Sequence, residues 1–235
     1  MTAIKAYAAP SAGAPLETFE YDPGPLAHDQ VEIGVTACGV CHSDLSMLGN
    51  EWGISRFPLI AGHEAVGRIT AVGSAVSHLE VGQMVGVGWS AESCLTCGQC
   101  MSGYHQRCSS GYKPTIMGRQ GGFADRMRVD AIWAIPLPEG MGARSAGPLF
   151  CGGITVFAPF MDYDVKPTDR VGVIGIGGLG HLAIQFARAW GCEVTAFTGS
   201  MDKEAELQKL GAHKVVNNRD DGELKKLRGH YDVII

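Results

Sequence analysis

The sequence predicts a β-rich lobe over residues 1–150, followed by an α/β lobe over residues 151–235. Three observations lead to this prediction. In the first lobe, short apolar runs are separated by Gly, Pro, Ser and Asn, which is typical of strands joined by turns. In the second, strand-like runs alternate with helical stripes, which indicates a parallel sheet. A glycine-rich turn at residues 175–180 joins the first strand of that sheet to its first helix.

In the first lobe we expect strands over residues 31–35, 66–72 and 84–87. The segment Pro136–Gly140 is interpreted as the exit from this lobe. In the second lobe we expect strands over residues 170–174, 193–198 and 215–216, and a fourth from residue 232 onward.

The expected helices of the second lobe begin at Leu179 and Lys203, and the second one ends at Gly211. A doubly wound dinucleotide-binding fold has six strands, and only four are visible here. We therefore expect the chain to be a truncated version of a longer enzyme.

The composition is that of a folded protein, with 46% hydrophobic and 18% charged residues among 235. A net charge of −5 argues against nucleic acid or an anionic membrane as the main partner. We find neither a stretch of transmembrane length nor a secretory signal. Eight cysteines in such a chain indicate metal ligands and buried thiols, so we expect a cytoplasmic enzyme.

Four cysteines in a C-x2-C-x2-C-x7-C run are the strongest local motif: Cys94, Cys97, Cys100 and Cys108. Four thiolates close a tetrahedral shell around one zinc ion and leave no open position, so this metal would be structural. The alternative is two disulfides.

Residues Gly175, Gly177, Gly178, Leu179 and Gly180 belong to a G-x-G-x-x-G motif. The motif follows an apolar strand and opens an amphipathic helix, which is the context that dinucleotide binding requires. The first glycine makes the turn, the second admits the pyrophosphate and the third allows close helix–strand packing. The alternative is a glycine-rich structural turn.

The end of the second strand indicates which dinucleotide binds. An NAD site wants an acidic residue there, whereas this chain has Thr198, Gly199 and Ser200, with Lys203 shortly after. Hydroxyls and a cation suit a 2′-phosphate, so we predict NADP(H). Alternatively, Lys203 is a solvated charge between two acidic neighbours.

A second metal site is predicted from scattered residues, Cys41, His63 and Cys151. Two thiolates and one imidazole leave the fourth zinc position open for water or a substrate oxygen. For any one of these residues alone, a buried thiol or a hydrogen-bonded core histidine would be the favoured interpretation.

The Gly62-His63-Glu64 triplet, the cysteine quartet, the Cys151 segment and the glycine-rich turn together resemble the zinc-dependent alcohol dehydrogenases of the medium-chain dehydrogenase/reductase superfamily. The similarity is strongest to the NADP-dependent, cinnamyl alcohol dehydrogenase-like branch. It covers the whole chain. It implies a GroES-like β lobe that carries both zinc ions, joined to a Rossmann-type lobe.

The resemblance implies roles for further residues. Cys41, His63 and Cys151 would hold the catalytic zinc, with Glu64 behind the metal, and Asp44 would orient the imidazole. Ser43 would hydrogen-bond the substrate oxygen and pass its proton onward.

His42 would lie near the pyrophosphate and Thr155 against the nicotinamide. Trp52 and Trp89 would line the substrate pocket, or else pack in a core or an interface. One departure is Ser46, because many relatives have a histidine at this position that finishes the proton path.

The function implied is hydride transfer between NADP(H) and primary alcohols or aldehydes, with aldehyde reduction favoured. Alternatives are a catalytically inactive zinc- and nucleotide-binding relative, or an NAD-dependent polyol- or formaldehyde-type dehydrogenase. The resemblance implies a homodimer for the full-length family, formed through strands that we expect this chain to lack, so the oligomeric state of this form stays open.

Overall fold

The chain divides between Cys151 and Gly152 into two units, as seen in a computed structural model that describes residues 3–235. Each unit has its own hydrophobic core. The first unit is built mainly from antiparallel strands, and the second from a parallel sheet with helices.

The first unit contains nine strands within the described residues: β1 (Ile4–Ala8), β2 (Glu17–Tyr21), β3 (Gln30–Cys38), β4 (Ala65–Val72), β5 (Met84–Val87), β6 (Ser90–Glu92), β7 (Lys113–Pro114), β8 (Arg126–Asp130) and β9 (Ile135–Pro136). Its α-helices are α1 (His42–Leu48), α2 (Gly98–Met101) and α3 (Ala143–Ala146), and 3-10 turns cover residues 105–107, 131–133 and 147–150. The main antiparallel sheet has the order β8-β3-β4-β5-β9, and β1-β2 and β6-β7 form separate pairs.

The three strands that we expect in this lobe lie within β3, β4 and β5. Their buried side chains, such as Val31, Ile33, Ile69 and Val85, meet in one apolar cluster. Arg68 and Thr70 of β4 lie on the opposite, exposed face, as the alternation of a half-buried strand requires.

A buried carboxylate joins two strands of this sheet. Glu32 of β3 accepts hydrogen bonds from Arg128 Nε at 2.9 Å and Arg126 Nη1 at 3.2 Å, both on β8. Burial acts to raise the pKa of Glu32, but the two guanidinium groups outweigh it and hold that pKa below its ordinary value of 4.5.

The second unit contains the strands β10 (Arg170–Ile174), β11 (Glu193–Thr198), β12 (Lys214–Asn217) and β13 (Val233–Ile234), and the helices α4 (Gly152–Asp162), α5 (Gly180–Trp190), α6 (Glu204–Leu210) and α7 (Asp221–Lys226). A 3-10 turn covers residues 201–203. The strands are parallel, in the order β12-β11-β10-β13.

This order puts the third, second, first and fourth strands side by side, as in the doubly wound dinucleotide fold. The bounds predicted for β10 and β11 match those observed, and α5 begins one residue after Leu179. Both α5 and α6 end at a left-handed glycine, Gly191 at φ +106° and Gly211 at φ +119°. No helix in the part of the chain that the structure describes is both long and apolar enough to cross a membrane.

The Glu32 network makes a prediction about pH. A depressed pKa in the folded state stabilises the fold above the ordinary pKa of glutamate, and this stabilisation is lost as the pH falls through the depressed value. We expect Glu32→Gln to lower the free energy of unfolding by about 2 kcal/mol at pH 7, because charge-assisted hydrogen bonds are lost.

Urea unfolding of the wild type and Glu32→Gln between pH 7 and pH 3 checks this, with exposed Glu80→Gln as the matched control. The difference between wild type and Glu32→Gln should shrink as the pH falls below about 4.5. A difference that stays constant over this range would contradict the account.

Candidate active site and dinucleotide site

Four ligand-type side chains of the first unit converge in a buried cluster. The ligand atoms of Cys41, His63, Glu64 and Cys151 all lie within 4.8 Å of one another. His63 Nε2 is 3.2 Å from Cys151 Sγ, and the two sulfurs are 3.8 Å apart. A tetrahedral zinc ion holds two thiolates about 3.8 Å apart, so the donors fit one such ion.

Asp44 ties together the segments that carry these ligands. Its side chain is fully buried, and Oδ2 accepts from the Cys41 backbone N–H at 3.0 Å. Oδ1 accepts from the Gly62 N–H at 2.8 Å and lies 2.9 Å from His63 Nδ1. The Nδ1 proton is held by Asp44, so Nε2 is the ring nitrogen that faces the sulfurs and would bind a metal ion after losing its own proton.

Local backbone features place each ligand. Cys41 is the N-cap of α1. Gly62 has φ +96°, and a Cβ there would lie 2.8 Å from the Phe123 nitrogen, so only glycine fits before His63.

Cys151 follows a 3-10 turn that ends at Phe150. The Phe150 ring packs directly on Gly86, and the Phe150 carbonyl packs on Gly88, where a side chain would overlap it. These two glycines therefore let the segment before Cys151 lie against the strand β5 and the residue that follows it.

The charges in the cluster depend on one another. Burial opposes charge on the imidazole, but the Asp44 carboxylate and the Cys151 thiol outweigh it and raise the pKa of His63 to about 10. Burial also acts to raise the pKa of Cys41, whereas the amide and hydroxyl of Ser43 donate to its sulfur and bring that pKa below the ordinary value. A metal ion would displace protons here, so binding is coupled to proton release.

Glu64 lies beside the cluster and is 5% exposed. Burial is the main cause that raises the pKa of its carboxyl group. The carboxylate lies directly against Gly39, where a Cβ would overlap it. Gly39 therefore provides the space that Glu64 occupies.

The cysteine quartet forms a second cluster in the same unit. The sulfurs of Cys94, Cys97, Cys100 and Cys108 lie within 4.8 Å of one another, and every cysteine of the chain has a free thiol. Ser110 Oγ donates to Cys94 Sγ at 3.1 Å, and the Cys97 N–H donates to the same sulfur at 3.3 Å.

These donors favour the thiolate form of Cys94 and Cys97, whereas burial raises the pKa of Cys100 to about 12. The Ser110 hydroxyl and neighbouring amides lower the pKa of Cys94 to about 5, and amides led by that of Cys100 lower the pKa of Cys97 to about 7. Because four protein sulfurs complete a tetrahedral shell, this cluster suits a structural zinc ion.

Two tryptophans form an aromatic pair, one member of which lies against the buried imidazole. The Trp89 ring meets the His63 ring edge-on with centroids 5.0 Å apart, and Trp52 meets Trp89 at 6.3 Å. Trp89 also packs against an apolar cluster that includes Met47 and Leu59, while Trp52 is 47% exposed. Trp89 is thus beside the candidate metal site and also packs against a core, whereas Trp52 is linked to the site through Trp89.

The remaining residues predicted in the first unit lie on α1. His42 is its first residue and is exposed, and Ser43 bonds to Cys41 as described above. Ser46 is 3% exposed and donates to Glu51 Oε2 at 2.7 Å.

The glycine-rich turn of the second unit leaves space where a diphosphate would bind. Gly175 has φ +81°, and a Cβ at Gly177 or Gly178 would meet nothing within 4 Å. At Gly180, in contrast, a Cβ would overlap the Gly175 carbonyl, so this glycine allows α5 to pack close to the turn. An open turn at the N-terminus of an 11-residue helix fits a pyrophosphate group.

The other residues predicted to bind the dinucleotide differ in exposure. Leu179, Ser200 and Lys203 are exposed, as is Thr155 in the first turn of α4. Thr198 is only 7% exposed, and its Oγ1 accepts from the Ser200 N–H at 3.1 Å, so this hydroxyl shapes the turn.

Arg219 is missing from the residues that we predict from the sequence. It follows β12 by two residues, and its guanidinium group lies beside Gly199 at the end of β11. A basic residue after the third strand is the sequence signal that could have indicated it.

Comparisons with known proteins agree with this geometry. The alcohol dehydrogenase GroES-like domain matches residues 27–139, and the zinc-binding dehydrogenase family matches residues 178–235. Aldehyde reductase AdhA of Synechocystis sp. is 55% identical, over 99% of this chain and 69% of that protein. NADP-dependent alcohol dehydrogenase C of Mycobacterium bovis is 37% identical, over 100% of this chain and 70% of that protein.

Among solved structures, cinnamyl alcohol dehydrogenase SbCAD4 from Sorghum bicolor superposes with a TM-score of 0.93 at 33% identity, over 99% of this chain and 69% of that one. The chain thus spans about 70% of the length of these relatives.

The chain belongs to the zinc-dependent alcohol dehydrogenases of the medium-chain dehydrogenase/reductase superfamily, in the cinnamyl alcohol dehydrogenase-like branch. The predicted fold class, a GroES-like domain followed by a Rossmann-type domain, is confirmed. The predicted function is confirmed at the level of the family, whose members are enzymes that interconvert alcohols and aldehydes with NADP(H).

The Asp44 contacts lead to a prediction about metal affinity. In Asp44→Asn, an NH2 group replaces one of the two carboxylate oxygens. The single remaining oxygen cannot accept from the Cys41 amide on one side and from Gly62 and His63 on the other. We expect zinc affinity at the Cys41 cluster to fall about 10- to 100-fold, because the imidazole loses its orienting acceptor.

Competition with a zinc chelator, followed by elemental analysis, measures this loss. The cysteine quartet should keep its metal in the variant, and exposed Asp162→Asn should behave as the wild type. Equal zinc retention by Asp44→Asn and the wild type would contradict the orienting role.

Proposed function

We propose that this chain binds two zinc ions and NADP(H) and works mainly as a reductase of aldehydes, with oxidation of primary alcohols as the reverse reaction. The observation that carries the proposal is the convergence of Cys41, His63 and Cys151 at the spacing of one tetrahedral ion. We assign residues 1–150 to the zinc-binding catalytic domain and 151–235 to the dinucleotide-binding domain. A reducing compartment such as the cytoplasm fits the free thiols.

The two clusters differ in what they leave open. Four cysteine sulfurs complete the coordination of a structural ion, so the quartet has no position for a substrate. Two sulfurs and one imidazole leave one position for the substrate oxygen at the other cluster. The buried Glu64 carboxyl group lies close enough to that cluster to act as an exchangeable ligand.

When bound, zinc supplies Lewis acidity toward the substrate oxygen, and NADP(H) supplies the hydride donor or acceptor. The chain's own groups fix the geometry around that chemistry. Asp44 orients the imidazole, and the Ser43 hydroxyl donates a hydrogen bond to Cys41 Sγ at the cluster. We assign Ser43 the hydrogen bond to the substrate oxygen and the transfer of its proton.

Trp89 and Trp52 set the surroundings of the reacting carbon. The Trp89 ring meets the His63 ring edge-on, and the Trp52 ring packs against Trp89, so the two tryptophans offer apolar faces and edges next to the cluster's imidazole and one ring farther out. Aromatic side chains pack well against flat apolar substituents, so aromatic aldehydes are the proposed substrate class.

The experiment that tests the function is a steady-state assay of NADPH oxidation with benzaldehyde, using the purified 235-residue chain. Activity that is lost on treatment with a chelator and restored by added zinc supports the proposal. A protein that binds zinc and NADPH but turns over no aldehyde or alcohol would instead be a catalytically inactive binding relative.

Ser43 gives the sharpest prediction for the chemical step. We expect Ser43→Ala to lower kcat about 100-fold, since the hydroxyl that exchanges a proton with the substrate is removed. Ser43→Thr keeps a hydroxyl at the same position and should retain most of the activity.

Zinc content and thermal unfolding of both variants separate a catalytic effect from a structural one. Exposed Ser77→Ala is the matched control. If Ser43→Ala retained wild-type kcat with zinc bound, Ser43 would have no part in proton transfer.

A further inference from the structure

Two neighbouring parallel strands bring Arg219 to the end of β11. Thr198 and Asn217 are partners in the register of β11 and β12, so the turns that follow them lie side by side. A Cβ at Gly199 would lie 2.8 Å from Arg219 Nε and 3.2 Å from its Cζ. The guanidinium group therefore packs directly over the backbone of Gly199.

The backbone around this guanidinium group is fixed by hydrogen bonds. The Arg219 N–H donates to Asn217 Oδ1 at 3.0 Å, and the Asn218 N–H donates to the Thr198 carbonyl at 3.1 Å. The Thr198 hydroxyl holds the Ser200 amide from the other side. The position of Arg219 thus follows from an ordered pair of turns.

The charge of Arg219 is not neutralised within the protein. Across residues 3–235, none of the ion pairs involves Arg219. The adjacent Asp220 is engaged elsewhere, because its Oδ1 accepts from the amides of Gly222 and Glu223 at the start of α7. An exposed cation therefore faces the end of β11 without a carboxylate partner.

The surroundings suit an anion attached to a ribose. In the doubly wound fold, the end of the second strand is where the ribose of the adenosine lies. Here that strand ends in Thr198, Gly199 and Ser200, so no carboxylate is present to accept from a 2′-hydroxyl or to repel a 2′-phosphate. Ser200 and Lys203 are exposed next to it.

We infer that Arg219 binds the 2′-phosphate of NADP(H) and is the main determinant of the preference for NADP(H) over NAD(H); the inference rests on the proposed function. A guanidinium group offers two parallel N–H donors to a phosphate, whereas the Lys203 ammonium offers a point charge on a flexible stem. Gly199 contributes to the same phosphate site, because the absence of a side chain lets the guanidinium group lie against the end of β11.

Binding of adenosine 2′-monophosphate tests this directly, by isothermal titration calorimetry on the full chain without substrate. We expect Arg219→Met to weaken binding about 10- to 100-fold, as loss of charge-assisted hydrogen bonds predicts. Binding of adenosine 5′-monophosphate should be unchanged, and exposed Arg228→Met should match the wild type for both ligands. Arg219→Lys, which keeps the charge, should lie between wild type and Arg219→Met.

A second variant tests the strand end without removing Arg219. In Gly199→Asp, the new carboxylate would pair with the guanidinium group and accept from ribose hydroxyls. We expect weaker binding of NADPH and tighter binding of NADH, measured by fluorescence of the reduced nicotinamide. Thermal unfolding confirms that each variant is folded.

Two results would overturn the inference: Arg219→Met binding adenosine 2′-monophosphate within about twofold of the wild type, or losing both monophosphates equally. Neither result depends on turnover, so a failure of this inference differs from a failure of the aldehyde reductase proposal. Zinc-dependent aldehyde reduction that prefers NADH would retain the reaction and reject the role of Arg219.

Discussion

The metal-ligand cluster of the first unit depends on the buried carboxylate of Asp44. Taking an ionised carboxylate out of water costs several kcal/mol unless hydrogen-bond donors replace the lost hydration. Asp44 meets this requirement with the amides of Cys41 and Gly62 and with the imidazole of His63. The contacts that stabilise the buried charge also bring a thiol and an imidazole, distant in the sequence, into one cluster.

Asp44 also links fold to chemistry. Because it holds the proton at Nδ1, the imidazole presents its other nitrogen to the sulfurs of Cys41 and Cys151. Two glycines also help to place the ligands. Gly62 has a positive φ and no room for a Cβ, and Gly39 leaves room for the Glu64 carboxyl group. Electrostatics and ligand placement at this cluster therefore rest on the same few contacts.

The glycines of the second unit have different structural roles. Gly177 and Gly178 face open space, whereas Gly180 lies against the carbonyl of Gly175. The first pair leaves a surface on which a diphosphate fits, and Gly180 draws the helix close to the strand. Gly199 adds a third use, because its missing side chain admits the guanidinium group of Arg219 from the turn after the next strand.

Much of this organisation could be predicted from the sequence, because it is local. Short stretches of sequence are enough to predict the bounds of β10 and β11, the cysteine quartet and the glycine-rich turn. The resemblance to a known family predicted that Cys41, His63 and Cys151 form one metal site. The bond from Ser43 to the Cys41 sulfur and the buried position of Thr198 could not be read in this way. They depend on side-chain directions that only tertiary packing decides.

Arg219 shows the same limit over a longer distance. It meets Gly199 because β11 and β12 pair in parallel with a particular register, and a one-residue change of register would move it away.

We propose that the two clusters hold two zinc ions of different coordination, one closed and one open. Elemental analysis combined with zinc K-edge X-ray absorption on the purified chain distinguishes the two sites. We expect two zinc ions per chain and an average of about three sulfur ligands per ion, since six cysteines and one histidine would serve two sites. A single zinc ion with four sulfur ligands would show that only the quartet binds metal, and would contradict the catalytic site.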